Sequence, residues 1–457
     1  MFKKIAAAVL TFVMVFGCAG CAERYDVSDL PKYSQKEFEI SGFWAPYEIS
    51  EESFSLYKDA GLNTLAMINH SFDNTSDDQF YLGSNRTMKA LEICKKLGLK
   101  AILNYNDWKA EQCEGEDYNG ETPFSKYDLY GDYKDIISGV HICDEPSAEH
   151  MIIYSNKTLI DDFKKVYPNA SYIVNIVPIT AGASAYGYVT YQNLVDDYAE
   201  KIMSQFENSY ISVDYYPFHK NVKDEDLYIF TNYQMIAETA KIYNAKTNFI
   251  LQSITSAEIQ DDLSEADMRR QVNSALGFGA DSLQYYCYSV PQSFNEDGTV
   301  NYMYDRCILN QDGTPSDLYY YIKEINSEIQ SFASVILSYD WDYSIGILGE
   351  KSTTRRLGAA MYNEFENPKH YVSATASREL LISRFTSEEY GEAYMFVNFA
   401  DRDDNNTAEV TFKDCKKVAI YGGEDYAGTP QIIKLDENGK FTFELNYGEG
   451  VFIVPVS

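Results

Sequence analysis

Two adjacent carboxylates, Asp144 and Glu145, end a short apolar run at Ser138–Ser147 (SGVHICDEPS). Glycosidic cleavage needs this kind of equipment: one carboxylic acid to protonate the leaving oxygen and a second carboxylate to attack carbon or activate water. Val140 and Ile142 alternate with His141 and Cys143. The two-residue period of a strand therefore carries Glu145 onward with the His141/Cys143 face and Asp144 with the other. Pro146 ends the ladder, since it has no N–H to donate. Beside Asp144 and above an apolar strand, Glu145 is the expected proton donor, because like charge and desolvation favour its protonated form. Asp144 is expected to hold the turn or tune its neighbour. The first candidate partner is Asp214, in Tyr210–Phe218 (YISVDYYPF), where Ile211 and Val213 face one side and Ser212 and Asp214 the other. Tyr215 and Tyr216 beside it could stack on a sugar ring or hold a carboxylate by hydrogen bonds. The bland alternative is an aspartate that fixes the turn through Pro217.

The elements that must position these groups alternate between short β-like runs and helical stretches, the pattern of a parallel sheet with crossover helices. Eight strands are expected: Phe38–Ala45, Leu62–Asn69, Lys100–Asn104, Gly139–Cys143, Tyr172–Val177, Tyr210–Tyr215, Asn248–Gln252 and Asp281–Tyr286. Helices are expected at Glu51–Ala60, Ser84–Leu97, Ser125–Ile137, Glu149–Val166, Tyr191–Asn208, Glu225–Tyr243, Glu265–Phe278 and Ser316–Leu337. Gly61, Gly98 and Gly279 sit just past helix ends, where a glycine cap belongs. Eight such units predict a (β/α)8 TIM barrel, whose functional groups sit on the loops after the strand C-termini. Those ends are polar and aromatic, supplying Trp44, Asn69, Asn104, Asp107, Asn175, Tyr216, Gln252, Gln284 and Tyr286 as candidate substrate contacts. Three long connections, 107–124, 178–190 and 289–314, would wall a cleft on the same face.

From about residue 341 the helical pattern gives way to β-like runs at Ser344–Leu348, Leu380–Phe385, Tyr394–Phe399, Ala408–Phe412, Lys417–Tyr421, Gln431–Leu435, Lys440–Leu445 and Val451–Val454. Asn438-Gly439 joins two of them as a hairpin turn would. Residues 37–340 are therefore read as the barrel and 341–457 as an antiparallel β-sandwich without a catalytic constellation of its own.

At the other end, Lys3 and Lys4 precede an apolar run, Ile5–Phe16, too short to span a bilayer. Residues 1–20 read as a signal peptide and 21–36 as a polar tether. The Ala19-Gly20-Cys21 ending resembles the lipobox of bacterial lipoproteins, with Cys18 as a weaker second match. That resemblance implies lipidation of Cys21 and a lipid anchor on the outer face of a bacterial membrane. The 457-residue chain holds 69 acidic against 38 basic residues, a formal charge of −31. So acidic a surface excludes a nucleic-acid partner and disfavours a strongly anionic polymer as substrate. Cys94, Cys113, Cys143, Cys287, Cys307 and Cys415 are scattered singly, as buried thiols or at most one or two bridges would be. With five histidines and no His-x-His pair at a strand end, a metal-dependent hydrolase using His70, Asp107, His141, Glu145 and Asp214 is the weakest reading, and no metal or other cofactor is expected.

Residues 139–147 (GVHICDEPS), a following helix, Asn175 and residues 212–218 (SVDYYPF) together resemble the barrel core of bacterial glycoside hydrolases related to the clan that holds cellulases and β-galactosidases. The resemblance covers roughly Phe38–Leu337 and implies an oligo- or polysaccharide substrate. The clan's acid/base is the Glu of an Asn-Glu pair ending strand four, which falls on Glu145, with Asp144 in place of the Asn. Its nucleophile is a Glu ending strand seven, and here that strand ends on Gln252, which cannot attack. Three options follow: Asp214 serves instead, a loop acid such as Asp107 serves, or the site only binds. The leading expectation is a surface-anchored glycoside hydrolase acting on a neutral or weakly charged glycan, and the alternative is a non-catalytic carbohydrate-binding lipoprotein on a degenerate barrel.

Overall fold

The structure, a computed structural model, describes residues 30–68, 80, 82–105, 123–126, 130–220, 227–256, 262–295, 299–352, 364–400, 402–423 and 430–456. Cys21 with the expected leader, Asn69, His70 and Asp107 lie outside the described residues. Eight parallel strands close into a barrel: β1 (Glu39–Gly42), β2 (Thr64–Ala66), β3 (Lys100–Asn104), β4 (Ile137–Asp144), β5 (Ser171–Ile176), β6 (Tyr210–Tyr215), β7 (Lys246–Gln252) and β8 (Ser282–Tyr286). Closure is made by β1 against β8, with Ser41 opposite Gln284 and Gly42 opposite Tyr285. The barrel expectation therefore holds.

The helices are α1 (Glu51–Asp59), α2 (Asn85–Leu97), α3 (Pro123–Lys126), α4 (Ala148–Tyr154), α5 (Lys157–Val166), α6 (Tyr191–Lys201), α7 (Leu227–Tyr243), α8 (Glu265–Gly277) and α9 (Asp317–Ile336). Serines cap several: Ser84 accepts from the N–H of Thr87, and Ser147 from that of His150. Two expectations fail here. The helix expected over Ser125–Ile137 is one short turn, then a 3-10 turn at Gly131–Tyr133, because β4 starts already at Ile137. The helix expected over Glu149–Val166 is two, since Asn156 turns its side chain onto the N–H of Thr158 and starts a second helix.

Helix α9 locks the closure. Asn326 accepts from the Tyr285 hydroxyl at 2.8 Å and donates to the Ala60 carbonyl at 2.8 Å, while Gln330 brackets the backbone of Phe38. From Asp340 onward the chain is antiparallel, in a six-stranded and a three-stranded sheet packed over a core of Ile382, Phe396, Val410 and Ile453. Tyr371–Ala376 is a strand that the sequence pattern does not announce; among the described residues it pairs only with Asn406–Phe412, and Val372, Ser373 and Thr375 face solvent.

The two parts join through α8, whose Arg270 and Asn273 are buried against the β-domain, Arg270 over the Phe399 ring and Asn273 on the Gly448 carbonyl at 2.9 Å, while Gln271 turns inward onto the Gln252 backbone. Asp267, fully buried, accepts from both the Nε and Nη2 of Arg402, at 3.0 and 2.6 Å, and from the Tyr447 hydroxyl. Removing a partner from a buried carboxylate costs more than the pair is worth, because the remaining charge stays desolvated. Arg402→Ala is expected to lower the unfolding free energy by about 2–3 kcal/mol, read from urea denaturation; a change within error would show that this ion pair adds nothing to the docking.

Candidate active site

Inside the barrel, Ile102, Ile173 and Tyr210 form an apolar layer across β3, β5 and β6. Above it runs a chain of polar side chains. Ser282 on β8 donates to Asn248 Oδ1 on β7 at 3.0 Å, Asn248 Nδ2 to Ser212 Oγ on β6 at 3.0 Å, and Ser212 to Asn175 Oδ1 on β5 at 3.1 Å. Asn175, 3% exposed, ends the chain with one amide nitrogen serving two carboxylates: Asp144 Oδ1 at 3.0 Å and Asp214 Oδ1 at 3.2 Å. Glu145 stands beside them. Its Oε2 accepts from the Tyr186 hydroxyl at 3.0 Å, and its backbone N–H binds the Asn175 carbonyl at 2.8 Å.

The strand-parity expectation for β4 is corrected. Opposite β5, His141 pairs with Ile173 but Cys143 with Val174, so Ile142 is an extra residue. The bulge leaves Ile142 and Cys143 both in the helix-side core, and Asp144 takes the inward position opposite Asn175. Glu145 then reaches the mouth through a left-handed backbone, φ +49°, rather than by continuing the strand. Trp44, at the end of β1, has φ +62°. Side chains larger than Asn or Asp rarely occupy this region, and where they do a functional site is the common reason.

The three acids share one electrostatic problem. Burial raises the Asp214 carboxyl well above its usual value, and the charges of Glu145 and Asp144 raise it further, with the Asn175 bond opposing. Desolvation and then the Asp144 charge raise Glu145, against the Tyr186 hydrogen bond. Asp144 is raised by desolvation and lowered by Asn175. The Asp144 side chain is open to water on one side while protein surrounds it elsewhere, as a group on the floor of a cleft would be. Clustered like charges bind protons as a unit, so the trio keeps a proton at a pH where isolated carboxylates have lost theirs.

His141 lies lower, edge-on to Phe43 at 5.8 Å, and burial pushes its pKa down to about 4. It is neutral at physiological pH, and its Nε2 meets no hydrogen-bond partner among the described residues. Among those residues no group of three or more His, Cys, Asp or Glu is placed to hold a metal ion.

An aromatic wall lines the same end of the barrel. Phe43 and Trp44 pack with half-buried Tyr216, Tyr286 and Tyr304; Tyr216 stacks on Tyr286 at 5.3 Å, and Tyr286 meets Tyr304 edge-on at 6.2 Å. Of the expected contacts, Trp44, Tyr216 and Tyr286 belong to this wall, and Gln284 lies one inward position below Tyr286. Three others take different roles. Asn104 holds the Phe80 carbonyl at 3.1 Å, and Asn175 positions the acids. Gln252, 0% exposed, clasps the backbone of Phe218 with both amide atoms, at 2.9 and 3.0 Å, so it fixes the turn after β6 instead of meeting a ligand. Tyr186 is the site residue that the strand ends do not supply. It sits in the long 178–190 connection, whose length marks the region without marking the residue.

The Asp214 shift has a sign that can be checked. Its pKa is higher folded than unfolded, so ionisation costs stability as pH rises past the unfolded value, and nothing is lost below it. Asp214→Asn is therefore expected to raise Tm by a few degrees at pH 7, with the gain vanishing toward about pH 4. A pH-independent Tm difference would show that the carboxyl carries no raised pKa.

No family model matches the chain, and no curated protein matches it in sequence. Solved structures do. A family 39 glycoside hydrolase from the gut symbiont Bacteroides cellulosilyticus WH2 is similar with a TM-score of 0.50 and 11% identity, over 93% of this chain and 83% of that one. A GH30 endoxylanase from Clostridium papyrosolvens C71 aligns over 93% of this chain and 98% of its own, at 13% identity and a TM-score of 0.45. At such identities the likeness is one of fold, and the chain carries a (β/α)8 barrel followed by a β-sandwich.

Proposed function

We propose that the protein is a glycoside hydrolase that cleaves O-glycosidic bonds of a neutral or weakly charged glycan, anchored to the bacterial surface by lipid on Cys21. The observation that carries the reading is the convergence of Asp144, Glu145 and Asp214 at the C-terminal mouth of the barrel, tied together through Asn175. Glu145 is the general acid: it projects into the mouth, and burial with the Asp144 charge keeps it protonated to higher pH than a free carboxyl. Its proton passes to the leaving oxygen, and Asp214 attacks the anomeric carbon or takes a proton from water. Asn175 holds Asp214 in place throughout. The half-buried Tyr216 and Tyr286 rings, backed by buried Trp44, offer apolar surface for a sugar. The acidic chain suits a substrate that brings no strong negative charge.

One observation favours a second reading. The end of β7, where the clan carries its nucleophile, holds Gln252, buried and committed to Phe218. A barrel that has lost this group and kept its aromatic wall would bind glycans without cutting them.

Release of reducing sugar from a panel of aryl glycosides, oligosaccharides and polysaccharides decides between the two. Cleavage is expected, and Glu145→Gln and Asp214→Asn should each lower kcat/KM about a thousandfold. Saturable binding with no release from any member selects the binding reading, and full activity in Glu145→Gln removes Glu145 from its role. The configuration of the first product tells whether Asp214 attacks carbon or water.

The pH profile gives a further test. Activity should fall on the alkaline side as Glu145 loses its proton. Asp144→Asn removes a like charge that raises Glu145, so that limb is expected to move to lower pH. A limb that stays in place would disconnect Asp144 from the acid.

A further inference from the structure

Among the described cysteines, Cys287 and Cys307 stand apart as a pair: their sulfurs lie 3.2 Å from each other, and both residues are fully buried. Twenty residues separate them in sequence. Backbone bonds that do not involve the thiols bring them together: the N–H of Ile308 binds the Cys287 carbonyl at 3.2 Å, and that of Leu309 the Tyr288 carbonyl at 2.9 Å. Side chains hold the same two residues from behind, Ser253 on the Cys287 carbonyl at 3.3 Å and Ser316 on the Cys307 carbonyl at 2.7 Å. The approach is thus imposed by the fold on both sides, and among the described residues no third group stands by to make the pair a metal site.

We infer that Cys287 and Cys307 are joined by a disulfide in the exported protein, fastening the loop after β8 to the mouth of the barrel. The bond would close a loop that carries β9 (Gln292–Phe294), β10 (Val300–Tyr302) and Tyr304, whose ring meets Tyr286. It would thereby fix one side of the aromatic wall. The two thiols give up two protons and two electrons to the disulfide of an exported thiol–disulfide oxidant, which leaves as a dithiol. The inference rests on the exported reading of the leader and is independent of whether the barrel cleaves or binds.

The test uses the full chain from Cys21 onward, with Cys21 itself changed to Ser and a foreign secretion signal in front, delivered to an oxidising bacterial periplasm. Its result then does not depend on the native leader. Thiols are alkylated under denaturing conditions without reductant, and the digested peptides are mapped by mass spectrometry. The expected result is a linked pair of peptides containing Cys287 and Cys307 that appears only before reduction, with Cys94 and Cys143 alkylated. Recovery of both Cys287 and Cys307 in alkylated form overturns the inference. In the linked protein, proteolysis between residues 289 and 306 is expected to be roughly tenfold slower than in the double variant Cys287→Ala/Cys307→Ala. Equal rates would overturn the fastening role while the mapping still reports the bond.

Discussion

One amide nitrogen, Nδ2 of Asn175, carries the arrangement at the mouth. Asp144 and Asp214 come from different strands and would repel each other into separate positions; a shared donor lets both stay. That donor is aimed because its own carbonyl oxygen is taken by Ser212, and Ser212 is aimed by Asn248, and Asn248 by Ser282. Four neighbouring strands thus fix the rotamer of one residue. In the buried interior such a chain is worth having only when complete, since each unmatched group would cost about 1–3 kcal/mol.

The barrel supplies rigidity and the segments after its strands supply chemistry. Glu145, Tyr186 and Tyr304 all lie beyond strand ends, and each is held by a partner on another element. The β-domain reaches the mouth directly through Arg402, whose guanidinium lies 5.9 Å from the Phe218 ring, and also through α8, against which it packs. Gln271 on that helix binds the Gln252 backbone, whose side chain in turn sets the Phe218 turn just past Asp214. Docking of the second domain and the shape of the turn beside Asp214 are therefore mechanically continuous.

The barrel was legible in the sequence because its strands carry short apolar runs, helical periodicity alternates with them and several helices are followed by glycine, features that local residue types announce. Lys100–Asn104 and Tyr210–Tyr215 came out at their observed limits for that reason. The place of the acids was legible in part: Glu145 and Asp214 lie at the same rim, near enough that the Glu145 charge raises the Asp214 carboxyl. The facing of β4 was not legible, because a bulge adds a residue without a signature and inverts everything after it. The burial of Arg270 and Asn273 on α8 has no local signal in the sequence, since it is decided by a β-domain that lies far along the chain. Gln252 read as a ligand contact for a related reason: a polar residue at a strand end looks the same whether it meets a sugar or the neighbouring turn.

The left-handed backbone at Trp44 and Glu145 has a consequence for how the chain responds to selection. At Trp44 the buried ring repays the strain by packing against Phe43, so folding itself keeps the residue. At half-buried Glu145 glycine would relax the backbone and remove a like charge from Asp144, so on folding grounds alone glycine would settle there. Library selection of this barrel for heat resistance alone would therefore drift toward glycine at Glu145, and selection for whatever the mouth does would drive it back. That one position thus forms an internal gauge that separates the demands of folding from those of use, whichever ligand the mouth takes.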